Sequence, residues 1–173
     1  MKSIRPLTPS DCEEVLRINA ESQPGVAHLD RPELERLVRL KNDHLVMEGP
    51  NGGLVGYLLA FPSDAPYDGE EFLFLNKASL GSFIYIDQIA VDAAERRTGS
   101  ASSLYRATEA AAQRRGIQEL SCEVNLNPPN PGSLAFHRSK GFNQTSVLET
   151  QDGRTVALMS KQLKSPEPEA CET

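Results

Sequence analysis

No stretch of the 173-residue chain approaches the roughly 18 consecutive apolar residues that cross a bilayer as a helix. The opening residues, MKSIRPLTPSD, lack the apolar run of a secretory signal, so a soluble, cytoplasmic protein with no membrane partner is expected. Cysteine is sparse. Cys12, Cys122 and Cys171 are odd in number and far apart, without a Cys-x-x-Cys pair or a histidine at ligand spacing, so neither a disulfide framework nor a metal site is expected. Basic charge is short as well: 18 Lys and Arg stand against 24 Asp and Glu, a formal net charge of −6. Nucleic-acid binding needs a basic surface that releases phosphate counterions, so no nucleic-acid partner is expected, and the acidity leans slightly toward a cationic ligand. Two nucleotide signatures are also missing, GxxxxGK[ST] and GxGxxG.

What is present suits one mixed α/β (α+β) domain. The length and the 39% hydrophobic content allow one sizeable core. Residues 3–6 read as a short strand. Thr8-Pro9-Ser10-Asp11 then combines an N-cap, a proline at the first helical position and an acidic third residue, starting a helix that runs to about residue 21. Asp30-Arg31-Pro32-Glu33 repeats the start signal ahead of the i, i+3, i+4 stripe Leu34, Leu37, Val38. Residues 44–48 and 54–61 flank Asn51-Gly52-Gly53 as a hairpin. Residues 62–82 show turn residues and then Phe72-Leu73-Phe74-Leu75 with no clear period, and are assigned as a loop. Residues 83–91 carry β-branched and aromatic residues on both parities, as a strand buried on both faces does. A helix over 99–115 closed by Gly116, a strand over 117–124, a short helix opened by Asn130-Pro131 and ended at Gly141, and a hairpin of 143–150 with 154–163 complete the domain. The proline- and glutamate-rich residues 164–173 read as a disordered tail.

The run Arg96-Arg97-Thr98-Gly99-Ser100-Ala101 lies between that central strand and an amphipathic helix. Small residues at Gly99 and Ala101 allow close backbone approach, and a helix start offers unpaired N–H groups and a positive dipole end, which suits a pyrophosphate. An ordinary strand-to-helix turn would carry the same glycine. Within the strand, Asp87 and Gln88 are polar among apolar neighbours, where an unpartnered carboxylate is costly.

Here the sequence resembles the GNAT acetyltransferases, which place an Arg/Gln-x-x-Gly-x-Gly/Ala turn after their fourth strand. A second motif of that family, Asn-x-x-Ala-x-x-Phe-Tyr-x-x-x-Gly-Phe, is matched at Asn130, Phe136, Gly141 and Phe142, with Ser133 at the alanine position and His137 at the tyrosine position. The resemblance covers roughly residues 83–163, with compatible element order before it. It implies a GNAT domain over residues 1–163: a mostly antiparallel mixed sheet flanked by helices and splayed between strands 4 and 5. Acetyl-CoA is the implied co-substrate and a primary amine, small or on a peptide, the acceptor.

Residue by residue, the resemblance implies that backbone groups of Ile89, Ala90 and Val91 pair with the pantetheine arm like an added strand. Arg96, Arg97, Thr98, Gly99, Ser100, Ala101 and Ser102 would cradle the pyrophosphate. Asn130 would touch the cofactor arm, or cap the following helix, or both. An N–H near Val91 would meet the oxyanion. An alkylammonium with a pKa near ~10 must lose a proton before it attacks a thioester, and Asp87 is the candidate base. His137 is the candidate proton donor to the thiolate, because imidazole can donate or accept. Its departure from the usual tyrosine also leaves open a non-catalytic acyl-CoA-binding or regulatory module. Family members often dimerise, and a homodimer is compatible with this chain.

Overall fold

The computed structural model describes residues 1–164, so the expected tail lies outside the described residues apart from Lys164. Seven strands form one sheet in the order β1-β2-β3-β4-β5-β7-β6. They are β1 (Ser3–Pro6), β2 (Leu45–Glu48), β3 (Leu54–Pro62), β4 (Phe83–Val91), β5 (Glu119–Asn127), β6 (Asn143–Glu149) and β7 (Thr155–Gln162). The helices are α1 (Cys12–Ser22), α2 (Arg31–Arg39), α3 (Glu70–Ala78), α4 (Ser100–Arg114) and α5 (Pro131–Ser139).

Strand alternation sorts the apolar residues into two layers. On one face Tyr57, Leu59, Phe61, Phe83 and Tyr85 pack with Val15 and Ile18 of α1, Leu34 and Leu37 of α2 and Phe72 of α3. On the other, Leu58, Ala60, Ile84, Ile86 and Cys122 pack with Leu104, Tyr105 and Ala112 of α4 and with Phe142 after α5. The helix starts follow their caps: Asp30 Oδ1 accepts from Glu33 N at 2.8 Å, and Thr8 and Asp11 form the reciprocal box ahead of α1. Arg5 grips Asp11 at 2.7 and 2.8 Å, tying β1 to that cap.

Two assignments from the sequence need correcting. Residues 62–82 contain a helix, α3, whose period was hidden because Leu73 and Phe74 are exposed beside the buried i, i+3 pair Phe72 and Leu75. Strand β5 starts two residues later than expected and extends three further. Ile117 belongs to the closure of α4, its N–H bonded to Ala112 O at 3.0 Å, while the polar residues Asn125 and Asn127 pair with β7. Cys12 and Cys122 are buried free thiols, and Cys171 lies outside the described residues.

All neighbouring strands are antiparallel except β4 and β5, which run parallel and pair only from Phe83↔Glu119 to Ile86↔Cys122. Beyond Ile86 the two strands part, each held by its other neighbour, β3 or β7. Strand pairing therefore opens a wedge in the middle of the sheet, with α4 starting on one side and α5 on the other.

Candidate active site

The wedge begins at a β-bulge. Leu59 faces Gln88 and Ala60 faces Ile86, so Asp87 has no partner across the ladder and the strand turns there. Past the bulge, Asp92 N donates to Val55 O at 2.9 Å. In an antiparallel ladder the bonding residues alternate, so Ala90 keeps its backbone bonds to Tyr57 while Ile89 and Val91 turn theirs into the wedge. Of the three residues expected to offer backbone to a ligand, Ala90 is thus spent on β3. Ile89 and Val91 are free to bond one.

The wedge leads to the start of α4. Gly99, at φ 89°, is its N-cap and supplies no side-chain cap, and the first turn carries no acidic residue. The first-turn N–H groups are left for an outside acceptor. Arg97 adopts φ 65°, a left-handed conformation that costs a non-glycine residue on the order of 1 kcal/mol. Arg96 and Arg97 lie on the wall of an adjoining cavity of about 670 Å³ that also takes in Ile89, Val91 and Ala101. Arg96 is steadied by Glu21 O at 3.3 Å. The Thr98 and Ser100 hydroxyls turn the other way, to Lys2 Nζ at 3.2 and 3.0 Å, and Glu95 joins that cluster. Lys2 thus braces the turn from behind, a role its position in the sequence does not signal.

A second cavity, of about 550 Å³, opens on the other side of the wedge. Ile89, Asn130, Ser133 and His137 border both cavities, so the two meet there. Asn130 caps α5, accepting from Ser133 N at 3.2 Å, and its amide reaches Gly25 O at 3.4 Å. Gln88 is structural: Tyr57 Oη and Asn19 Nδ2 donate to its carbonyl at 3.0 and 3.1 Å, and its amide donates to Ala27 O at 3.3 Å. That network pins residues 23–29 over the cavity.

The second cavity is walled by carboxylates. Asp87 and Glu123 each sit one residue past the last paired residues of β4 and β5, side by side at the mouth of the splay. Tyr67 Oη donates to Asp87 at 2.7 Å and Tyr85 Oη to Glu123 at 2.5 Å. Burial, then the Glu71 charge, raises the Asp87 carboxyl above its ordinary range despite the Tyr67 bond. Glu123 is raised well above its own by burial and by the charges of Asp87 and Glu71. Two like charges in one recess disfavour joint ionisation, so the pair titrates as a unit. Other carboxylates nearby have cations: Glu71 bonds Arg154 at 2.9 Å and Glu33 bonds Arg36 at 2.8 Å. Sequence reasoning singled out Asp87 but not Glu123, Tyr67 or Tyr85. Glu123 gave no signal of its own, because it shares a parity with Ser121 opposite the apolar set Leu120, Cys122 and Val124, as the polar side of an ordinary alternating strand does.

His137 is buried, and both of its ring nitrogens are engaged. Nδ1 lies 2.8 Å from the Ser133 carbonyl, which can only accept, so Nδ1 carries the proton of the neutral ring. Nε2 is then bare and accepts from Tyr105 Oη at 2.6 Å. Burial lowers the imidazole below its usual value, opposed by the Ser133 carbonyl, so the ring is neutral near pH 7. His137, the candidate proton donor, borders both cavities; in this neutral form its N–H is turned to Ser133 O and the hydroxyl of Tyr105 lies against its Nε2.

The parallel strand pair that parts midway is the splay the GNAT resemblance implies, and the model of the acetyltransferase (GNAT) family matches residues 12–142. The chain belongs to the GNAT acetyltransferase family. Solved structures with the same fold include the ribosomal-protein-S18-alanine N-acetyltransferase from Escherichia coli, 17% identical over 100% of both chains with a TM-score of 0.72. Naa20 from Chaetomium thermophilum, crystallised with a bisubstrate analogue, is 17% identical over 93% of this chain and 86% of its own, TM-score 0.71. NAA60 from Arabidopsis thaliana, crystallised with acetyl-CoA, is 15% identical over 94% and 98%, TM-score 0.71. Comparison with curated proteins gave no match. Among the described residues of this GNAT protein, no group of His, Cys, Asp and Glu could hold a metal ion, and no helix is long and apolar enough to cross a membrane.

Proposed function

We propose that this GNAT protein transfers the acetyl group of acetyl-CoA directly to a primary amine that is cationic in solution. The observation that carries the reading is the junction of the two cavities at Ile89, where an edge fit for an extended, diphosphate-ended ligand meets a recess walled by Asp87 and Glu123. The free backbone of Ile89 and Val91 would bond the pantetheine arm. The first-turn N–H groups of α4, with Arg96 and Arg97, would hold the diphosphate. Asn130 would border the arm while capping α5.

The acceptor enters as an ammonium, drawn by two carboxylates that have no basic side chain of their own, and the Asp87/Glu123 pair removes its proton. The freed nitrogen attacks the thioester carbon, and the developing oxyanion is met by a backbone N–H. Ile89 N–H suits this better than Val91 N–H, since Ile89 borders both cavities and Val91 only the cofactor side. An acceptor bearing a carboxylate beside its amine would be repelled by the same wall. The proposal is tested by mixing the purified protein with acetyl-CoA and, separately, tyramine, spermidine and an alanine-initiated peptide, and following free CoA thiol. Thiol release coupled to an acetylated amine supports it. Tight CoA binding with no amine turned over would favour the acyl-CoA-binding module instead.

A further inference from the structure

The start of α4 is offered to an outside anion, yet a carboxylate of the chain itself already stands beside it. Glu95 lies in the turn that leads into the helix. Its carboxylate accepts from Thr98 Oγ1 at 3.0 Å and, at 3.4 Å, from the hydroxyl of Ser100, the first helical residue. A helix start favours negative charge, but a second anion brought to the same place is repelled by the first. The other acid of this turn, Asp92, is bonded at 3.0 Å by Arg17 of α1, which it shares with Glu14 and Glu21. Glu95 is met by Lys2, which lies ahead of β1 and 93 positions away in sequence. The same ammonium donates to Thr98 Oγ1 at 3.2 Å and to Ser100 Oγ at 3.0 Å, so its three donors all serve this one cluster. Neither Lys2 nor Glu95 lines either cavity, whereas Arg96 and Arg97 line the one beside Ile89 and Val91. The turn thus has its charges sorted, with the acid and its cation behind and two guanidinium groups in front.

We propose that Lys2 is a positioning residue of the cofactor site: it cancels the Glu95 charge and keeps that carboxylate behind the turn, so that Arg96 and Arg97 set the field a diphosphate meets. This rests on the placement of the diphosphate in the acetyl-transfer reading above. Lys2 touches neither cofactor nor acceptor and acts through Glu95. Without the ammonium, one uncompensated negative charge remains at the mouth of α4, where it opposes every charge of the ligand. The Lys2 and Glu95 side chains are 33% and 21% exposed, so water and salt screen that repulsion and its size depends on ionic strength. The step affected is the binding of the nucleotide end of the cofactor. Chemistry at the thioester, on the far side of the wedge from this cluster, is left alone.

The test measures the Kd for CoA by calorimetry for the wild type, Lys2→Met, Lys2→Gln, Glu95→Gln and the double variant Lys2→Met/Glu95→Gln, with thermal unfolding of each as the control for folding. Lys2→Gln removes the charge but keeps donors for the two hydroxyls. Both Lys2 variants should raise the Kd roughly 3–10-fold in about 20 mM salt and less than about twofold in about 500 mM salt, where the screening length is a few ångströms. Glu95→Gln should bind CoA at least as tightly as the wild type, and the double variant should return to within about twofold of it, because the charge that Lys2 offsets is gone. A Kd unchanged in the Lys2 variants would overturn the proposal. So would a double variant as weak as Lys2→Met, which would mean that the ammonium acts on the ligand directly or only as a brace, and so would a loss of affinity that salt does not reduce. A wild-type protein that binds no CoA would instead remove the placement of the diphosphate itself.

Discussion

Ala101 sits in the first turn of α4, on the wall of the cavity that would take the diphosphate, and Ala101→Glu separates stability from binding by sign. For the folded chain alone the change is mild. A carboxylate near a helix start gains about 0.3–1 kcal/mol from the macrodipole, while glutamate gives back a few tenths of a kcal/mol in helix propensity relative to alanine. Thermal unfolding should therefore be unchanged or shifted up by about 1–3 °C. For a diphosphate the same charge is hostile. At roughly 5 Å and an effective dielectric near ~20, each unit of ligand charge is opposed by about 3 kcal/mol, and screening in an open groove leaves about that much for the pair of charges. The Kd for CoA should rise more than about 100-fold. Differential scanning fluorimetry and calorimetric titration of CoA read the two effects separately. An unchanged Kd would refute the placement of the diphosphate at the α4 start, and a large loss of stability would refute the claim that the first turn of α4, whose own residues include no acid, tolerates a carboxylate in addition to the nearby Glu95.

Three further outcomes follow from the same geometry. Glu123→Gln should lower kcat/KM by about 10–100-fold, and because it removes a like charge beside Asp87, the rise of activity with pH should move to lower pH; a limb that stays in place would contradict the coupling of the two carboxylates. Asp11 is held down to about 2, first by the Arg5 bond, so its stabilisation of the fold is full above its ordinary carboxylate range and fades as pH falls toward 2. Removing it by Asp11→Ala should cost about 1–2 kcal/mol at pH 7, allowing for the part-exposed Arg5, and almost nothing at pH 2, as urea unfolding would show. Asn19→Leu should leave α1 folded but loosen residues 23–29, raising amine KM more than acetyl-CoA KM, since Asn19 holds Ala27 O and Leu29 N at 2.9 and 3.1 Å; equal changes in both would argue against that loop as part of the acceptor wall.

Much of this molecule could be read from local sequence because local forces decide it. The caps at Thr8, Asp30 and Asn130, the glycine turns at Gly52 and Gly116 and the two-faced strand ending at Val91 each announce themselves through residue type and spacing. What escaped was set by tertiary contacts. Helix α3 buries Phe72 and Leu75 yet leaves Leu73 and Phe74 outside, so its stripe has no polar contrast, and its buried Glu71 makes sense only against Arg154, 83 residues away. Glu123 looked like one more alternating residue until β4 and β5 parted beside it and set it next to Asp87. Sequence position alone made His137 a substitute for a tyrosine. Packing then buries its ring and sets the hydroxyl of Tyr105, from α4, against Nε2, a contact 32 residues apart in sequence that spacing does not announce.

The central claim is that a ligand with an extended arm and a diphosphate bridges the β4 edge and the α4 start. Amide NMR of the labelled protein titrated with acetyl-CoA tests it most directly. Large shifts confined to Ile89, Val91 and the N–H groups of residues 97–102, with Ala90 moving little because it stays bonded to Tyr57, are the expected result. Saturable binding that leaves those amides where they were would contradict the account.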